Sequence, residues 1–192
     1  VQQVPPAFTA AGIGNAASYA SGGVAPGEIV VIFGEHFGPS SLARFSLGSD
    51  GRVPSLLAST RVWFDDVAAP MIYAADGQLS AIVPYAVVGK QSTSVSVEYA
   101  GIKSPAVSIP VAAAVPGIFT LDSSGKGPGA ILNQDGKVNS RTAPASRGSV
   151  ITIFATGEGQ TDPPGEDGKP AAVPLPKPTL PISTETGRVG LG

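Results

Sequence analysis

Residues 60–84, TRVWFDDVAAPMIYAADGQLSAIVP, decide the fold class. Arg61–Phe64 reads as a short strand of branched and aromatic side chains, with Trp63 as a core anchor. Asp65-Asp66 supplies a turn. Ala68–Ala74 reads as a second strand, which tolerates Pro70 only at an edge or a strand start, because proline brings no N–H to a ladder. Asp76-Gly77 is a hairpin signal. Gln78–Val83 is a third strand, and Pro84 ends it.

The same grammar extends outward. Glu28–Phe33 is a strand of branched residues, followed by turns at Gly34 and Gly38. A long connection with a turn at Asp50-Gly51 leads to Thr60. Thr93–Tyr99 alternates Val95, Val97 and Tyr99 with Ser94, Ser96 and Glu98, the period-two pattern of a half-buried strand. Gly101 turns the chain, and Ala106–Ala113 closes the unit. Short strands at close spacing without helical periodicity predict an all-β immunoglobulin-like sandwich over 27–114. Residues 1–26, rich in Pro, Ala, Gly and Ser, read as an extended N-terminal arm carrying Phe8, Ile13 and Tyr19.

Residues 115–128, VPGIFTLDSSGKGP, read as a linker. Beyond it, Ala130–Leu132 and Gly136–Asn139 form a small hairpin, and Ser149–Ala155 reads as a strong strand. An internal repeat appears here. PGEIVVIFGEHFGP at 26–39 matches RGSVITIFATGEGQ at 147–160: Gly27, Ile32, Phe33 and Gly38 align with Gly148, Ile153, Phe154 and Gly159. Tandem sandwiches are therefore expected, with 129–192 a partial second unit. Its tail carries Pro170, Pro174, Pro176, Pro178 and Pro181, which favour extended backbone. An incomplete sandwich leaves an edge to be paired. A longer chain, a strand borrowed from a neighbour, or the Pro-rich tail would each supply it.

Composition narrows the function classes. The 192 residues hold 12 basic and 14 acidic side chains, a net charge of −2, and no basic block. Phosphate backbones require clustered cations, so no nucleic-acid partner is expected. No apolar run is long enough for a transmembrane helix. Cysteine is absent, which removes disulfides and thiolate metal sites. The 25 glycines and 19 prolines punctuate apolar runs, as many turns between short strands require.

The segments 12–34, 60–90, 105–140 and 147–169 closely resemble a C-terminal module of large secreted proteins of Solibacter-type acidobacteria. They read GIGNAASYASGGVAPGEIVVIFG, TRVWFDDVAAPMIYAADGQLSAIVPYAVVGK, PAVSIPVAAAVPGIFTLDSSGKGPGAILNQDGKVNS and RGSVITIFATGEGQTDPPGEDGK. That module is similar to tandem immunoglobulin-like domains of the TIG or IPT kind. The resemblance runs from Gly12 to about Pro181. It implies export, a bacterial extracellular or cell-surface location, and adhesion or assembly, with no catalytic role. Modules of this kind continue past the Pro-rich stretch and end in a second copy of the Gln78–Pro84 segment, which this chain lacks.

Candidate chemistry is sparse. His36, the single histidine, has Glu35 beside it but no metal-binding spacing. No G-x-S-x-G elbow and no complete phosphate loop accompanies Ser123–Lys126. Asp65-Asp66 and the group Asp162, Glu166 and Asp167 are candidate calcium ligands, without an EF-hand pattern. Trp63 and Tyr85 are candidate glycan contacts. No enzyme activity and no cofactor are expected. The leading expectation is a structural module that binds other protein chains, including copies of itself. Phe8, Ile13 and Tyr19 would anchor a donated strand, and head-to-tail donation would build a filament or surface layer. The alternative is a carbohydrate- or calcium-binding accessory module.

Overall fold

Continuous apolar runs and strict alternation build two different sheets. We describe the protein from a computed structural model, which defines residues 4–183. The first half holds ten strands: β1 (Ala7–Asn15), β2 (Ile29–Glu35), β3 (Ala43–Arg44), β4 (Thr60–Phe64), β5 (Val67–Ala68), β6 (Met71–Ala74), β7 (Gln78–Ile82), β8 (Ser92–Tyr99), β9 (Ile102–Lys103) and β10 (Val107–Pro110). One sheet runs β1-β2-β7-β6-β3, and the other runs β10-β8-β4-β5, with β9 on β8. Every pairing is antiparallel.

The inward side chains of both sheets form one core. Val30, Ile32, Leu79 and Ala81 from the first sheet meet Val62, Phe64, Val95, Val97 and Ile109 from the second. Each fully buried side chain of this size contributes roughly 1.5–3 kcal/mol. The all-β reading holds, and the first half is a sandwich.

Local turns follow their residues. Asp65-Asp66 joins β4 to β5, and Pro70 lies where the chain crosses from β5 in one sheet to β6 in the other. The predicted single strand over Ala68–Ala74 is therefore two short ones, because proline cannot continue a ladder. Ala100-Gly101 joins β8 to β9 with φ of 49° and 84°, the mirror-image turn that matches strand twist.

The N-terminal arm needs correction. It is the edge strand β1, with Ile13 opposite Ile32 and Phe8 opposite Gly34. Ile13 lies wholly in the core. Phe8 packs edge-on against Phe37, with ring centres 5.9 Å apart. Burial of these two rings and of Ile13 outweighs the ordering cost of a Gly- and Ala-rich segment. The sandwich thus begins near Ala7, not at Gly27.

The second half is thinner. Its strands are β11 (Gly117–Ile118), β12 (Ile131–Leu132), β13 (Thr152–Ile153), β14 (Ala155–Thr156), β15 (Thr161–Asp162) and β16 (Lys177–Pro178). They pair as β11-β14, β12-β13 and β15-β16. The strong strand read over Ser149–Ala155 is thus cut to two short ladders. The 115–128 stretch is not a free linker, because β11 lies in it. Among the described residues, every buried hydrophobic side chain falls between Ile13 and Ile109. Residues 115–183 therefore hold no core of their own.

This half lies against the outer face of the first sheet. Ile29 and Val31 share a cleft there with Phe119 and Thr120. Hence the unbroken apolar run over Ile29–Ile32: a strand covered on both faces needs apolar residues at successive positions.

Candidate functional site

The repeat seen in the sequence is also a repeat of pairing. In the first half Ile13 faces Ile32 and Gly14 faces Val31. In the second, Ile131 faces Ile153 and Leu132 faces Thr152. An asparagine follows each, Asn15 and Asn133. Ala7 and Phe8 face Glu35 and Gly34, just as Gly117 and Ile118 face Thr156 and Ala155. The irregularity within β1 between Phe8 and Ile13 widens to the loop between β11 and β12. Turns repeat as well: Glu28 N–H donates to the Ala25 carbonyl, and Ser149 N–H donates to that of Ser146.

The two copies differ on the far side. Strand β2 is flanked by β1 and by β7, whereas β13 pairs with β12 alone among the described residues. Side chains around that edge are open: Val150 is 69% exposed and Phe154 48%. An unpaired edge beside apolar side chains is a template for an added strand.

Several hydrogen bonds and an ion pair join the halves. Asn15 Nδ2 donates to Glu28 Oε1 and to the Val115 carbonyl, both at 2.8 Å. Ile29 N–H donates to Thr156 Oγ1 at 2.7 Å, and Val115 N–H to the Gly157 carbonyl at 2.8 Å. Arg52 bridges to Glu166 at 2.7 Å and donates to the Asp167 carbonyl at 2.9 Å. Tyr85 packs where Cβ atoms on Gly27 and Gly165 would overlap its ring. Burial raises its hydroxyl pKa, and the Glu158 and Asp167 charges add to this.

The expected site residues fall into three places. Phe8 and Ile13 are consumed by the chain's own sandwich, so they do not form a free donor arm. Tyr19 lies on the surface beside Phe33, its hydroxyl donating to the Ser123 carbonyl at 3.1 Å across the halves. Tyr85 is a packing element of the junction. Trp63 lies on the outer face of β4. Its indole N–H donates to Glu98 at 3.0 Å, and the Lys103 ammonium and Arg61 guanidinium sit 4.9 Å and 5.9 Å from the ring centre. Cations already occupy the π-system that a sugar would stack on.

Of the acidic candidates, Asp65, Glu166 and Asp167 are committed to other partners, while Asp66 and Asp162 lie on the surface. Glu166 is held by Arg52 and Lys169, and Asp167 accepts from Tyr85 N–H. No group of three or more metal-ligating side chains comes together among the described residues. His36 faces Asp76 at 3.9 Å on the surface. Asp65 accepts from Lys90, Thr93 and Ser94, and these bonds hold its pKa down to about 2, with the Lys90 bond the largest cause. Its depressed pKa stabilises the fold above about pH 4, and that stability is lost as the pH falls through about 2. The side chain is partly exposed, so the contribution is at most about 1 kcal/mol. Asp65→Asn is expected to flatten that acid limb in a pH series of urea melts.

The sequence reading missed the Asn15–Glu28 pair. Its signal was an acid standing directly before an apolar run, after Pro26-Gly27. No helix among the described residues is long and apolar enough to cross a membrane. Comparison of the chain with family models, with curated proteins and with solved structures finds no match to any of them.

Proposed function

We propose that this chain is a non-catalytic assembly module, exported and displayed at a bacterial surface, whose second half takes an added strand from another chain. The observation that carries the reading is the one-sided pairing of β13 beside exposed Val150 and Phe154, against the two-sided pairing of its counterpart β2. The resemblance to tandem immunoglobulin-like surface modules supports export and assembly. Backbone hydrogen bonds would supply the affinity, and the alternating Ile151 and Ile153 the register. The donor is a strand of a second copy other than β1, which its own sandwich already uses. A contact of this kind joins two different surfaces, so it propagates into a filament unless the rotation closes it.

Sedimentation velocity over a hundredfold range of concentration tests this. Association that rises with concentration is expected. Val150→Lys with Phe154→Lys should shift the midpoint upward at least tenfold, since each puts a charge where the added strand would bury apolar area. A single monomer species throughout would refute the reading.

A further inference from the structure

We propose that Glu28 is a proton-operated latch between the first sandwich and residues 115–183, closed when the carboxyl is protonated and released when it is ionised. This inference does not depend on the assembly reading.

Glu28 is fully buried. Its Oε1 accepts from Asn15 Nδ2 at 2.8 Å and its Oε2 from Ala25 N–H at 2.7 Å. Neither protonation state is fully satisfied there. The ionised form matches two N–H donors but faces no cation, and an unpaired buried charge is costly. The protonated form avoids that charge, but its proton needs an acceptor. The Asn15 carbonyl oxygen could serve only by leaving Ala17 N–H and Ser18 N–H, to which it is already bonded.

The Asn15–Glu28 pair is tied to the junction. The second N–H of the Asn15 amide donates to the Val115 carbonyl, and the residue after Glu28 donates to Thr156. On this proposal, opening these two contacts is what admits water to the carboxylate. The turn itself does not require an acid: the counterpart position holds Ser149, whose N–H makes the same turn bond to Ser146.

Few other charges face the site. Strand β1, residues 24–27, β7 and residues 115–118 carry no titratable side chain. Tyr19 follows β1, Tyr85 follows β7 and Glu158 follows β14, and no cation lies on any of these elements. Burial is the main cause that pushes the Glu28 carboxyl up to about 7, opposed by the bonds from Ala25 and Asn15. The closed state therefore takes up a proton between the ordinary value of 4.5 and about 7. Closure is favoured in acid and weakens as the pH rises from 4.5 to about 7, by at most roughly 300-fold in the opening equilibrium, with no further change above that.

Two measurements test the latch. The side-chain carboxyl carbon of Glu28, followed by NMR in the unaltered chain, should titrate near pH 7. Hydrogen exchange at the Ile29 and Val115 amides, corrected for intrinsic rates, should lose protection as the pH rises from 4.5 to about 7 and change little above that. Glu28→Gln and Glu28→Ser should make that protection independent of pH. A midpoint near 4.5, or a midpoint near 7 with protection unchanged between 4.5 and 7, would overturn the proposal.

Discussion

Ile32→Ala should lower the unfolding free energy by about 2–5 kcal/mol, while Ile153→Ala at the counterpart position should lower it by under about 1 kcal/mol. The two residues align in the repeat and face Ile13 and Ile131 in the same register. Their surroundings differ. Ile32 lies between two sheets, enclosed by the core that Val30, Leu79 and Val97 help to build. Truncating it removes transfer energy and leaves a cavity. Ile153 is half-buried in a two-stranded ladder, and among the described residues, 115–183 hold no buried hydrophobic side chain to enclose it. Water or a small shift fills the space. Urea unfolding of both variants at low concentration, where association is absent, checks the contrast. Equal losses would mean that residues 115–183 possess a core of their own. Repeating the measurement at high concentration adds a second comparison: if a partner strand covers Ile153, the cost of Ile153→Ala should grow with concentration.

Much of the first half was legible because its alternation is strict. Val95 and Val97 against Ser94 and Ser96 leave one arrangement that buries the valines, and β8 adopts it. The Asp-Gly hairpin before Gln78 and the proline after Val83 bound β7 in the same way. What resisted reading was long-range. Nothing local in AFTAAGIGN marks a core strand. Only the partner strand β2 makes Ile13 buried, and that is a tertiary effect overriding weak propensity. The opposite error occurred at Ser149–Ala155. Its branched residues have strong β-propensity, but without neighbours on both sides the ladder with β12 is only Thr152–Ile153, and pairing resumes at Ala155 on β11. Propensity therefore named the strand former, and the available partners set its length. Trp63 and Tyr85 misled for a related reason. An aromatic side chain declares area to be covered, not what covers it, and here the cover is Arg61 and Lys103 in one case and Gly165 in the other.

Two hydrogen bonds of the junction between the halves run through Val115 where it meets Gly157, and Gly157→Ala should open that junction. The residue has φ of 84°, in the left-handed region where a side chain costs about 1–2 kcal/mol. A Cβ there would also overlap the Val115 carbonyl oxygen, which is backbone and cannot rotate aside. That oxygen is the acceptor for Asn15, and Val115 N–H donates to Gly157 itself. Relief of the overlap therefore breaks both bonds, each worth about 0.5–1.5 kcal/mol. A loss of about 3 kcal/mol in docking corresponds to roughly a hundredfold more of the open form. Limited proteolysis should accelerate by about that factor within residues 115–183, while the first sandwich stays protected. Gly136→Ala is the control, since its φ of 79° carries the same backbone cost and a Cβ there meets nothing within 4 Å. It should accelerate cleavage only by the part due to strain, about tenfold. If the two variants behaved alike, the close approach of Gly157 to Val115 would not be what holds the halves together. If Gly157→Ala opens the junction and Glu28 then titrates toward 4.5, the burial of that carboxyl is supplied by the docked second half and not by the sandwich alone.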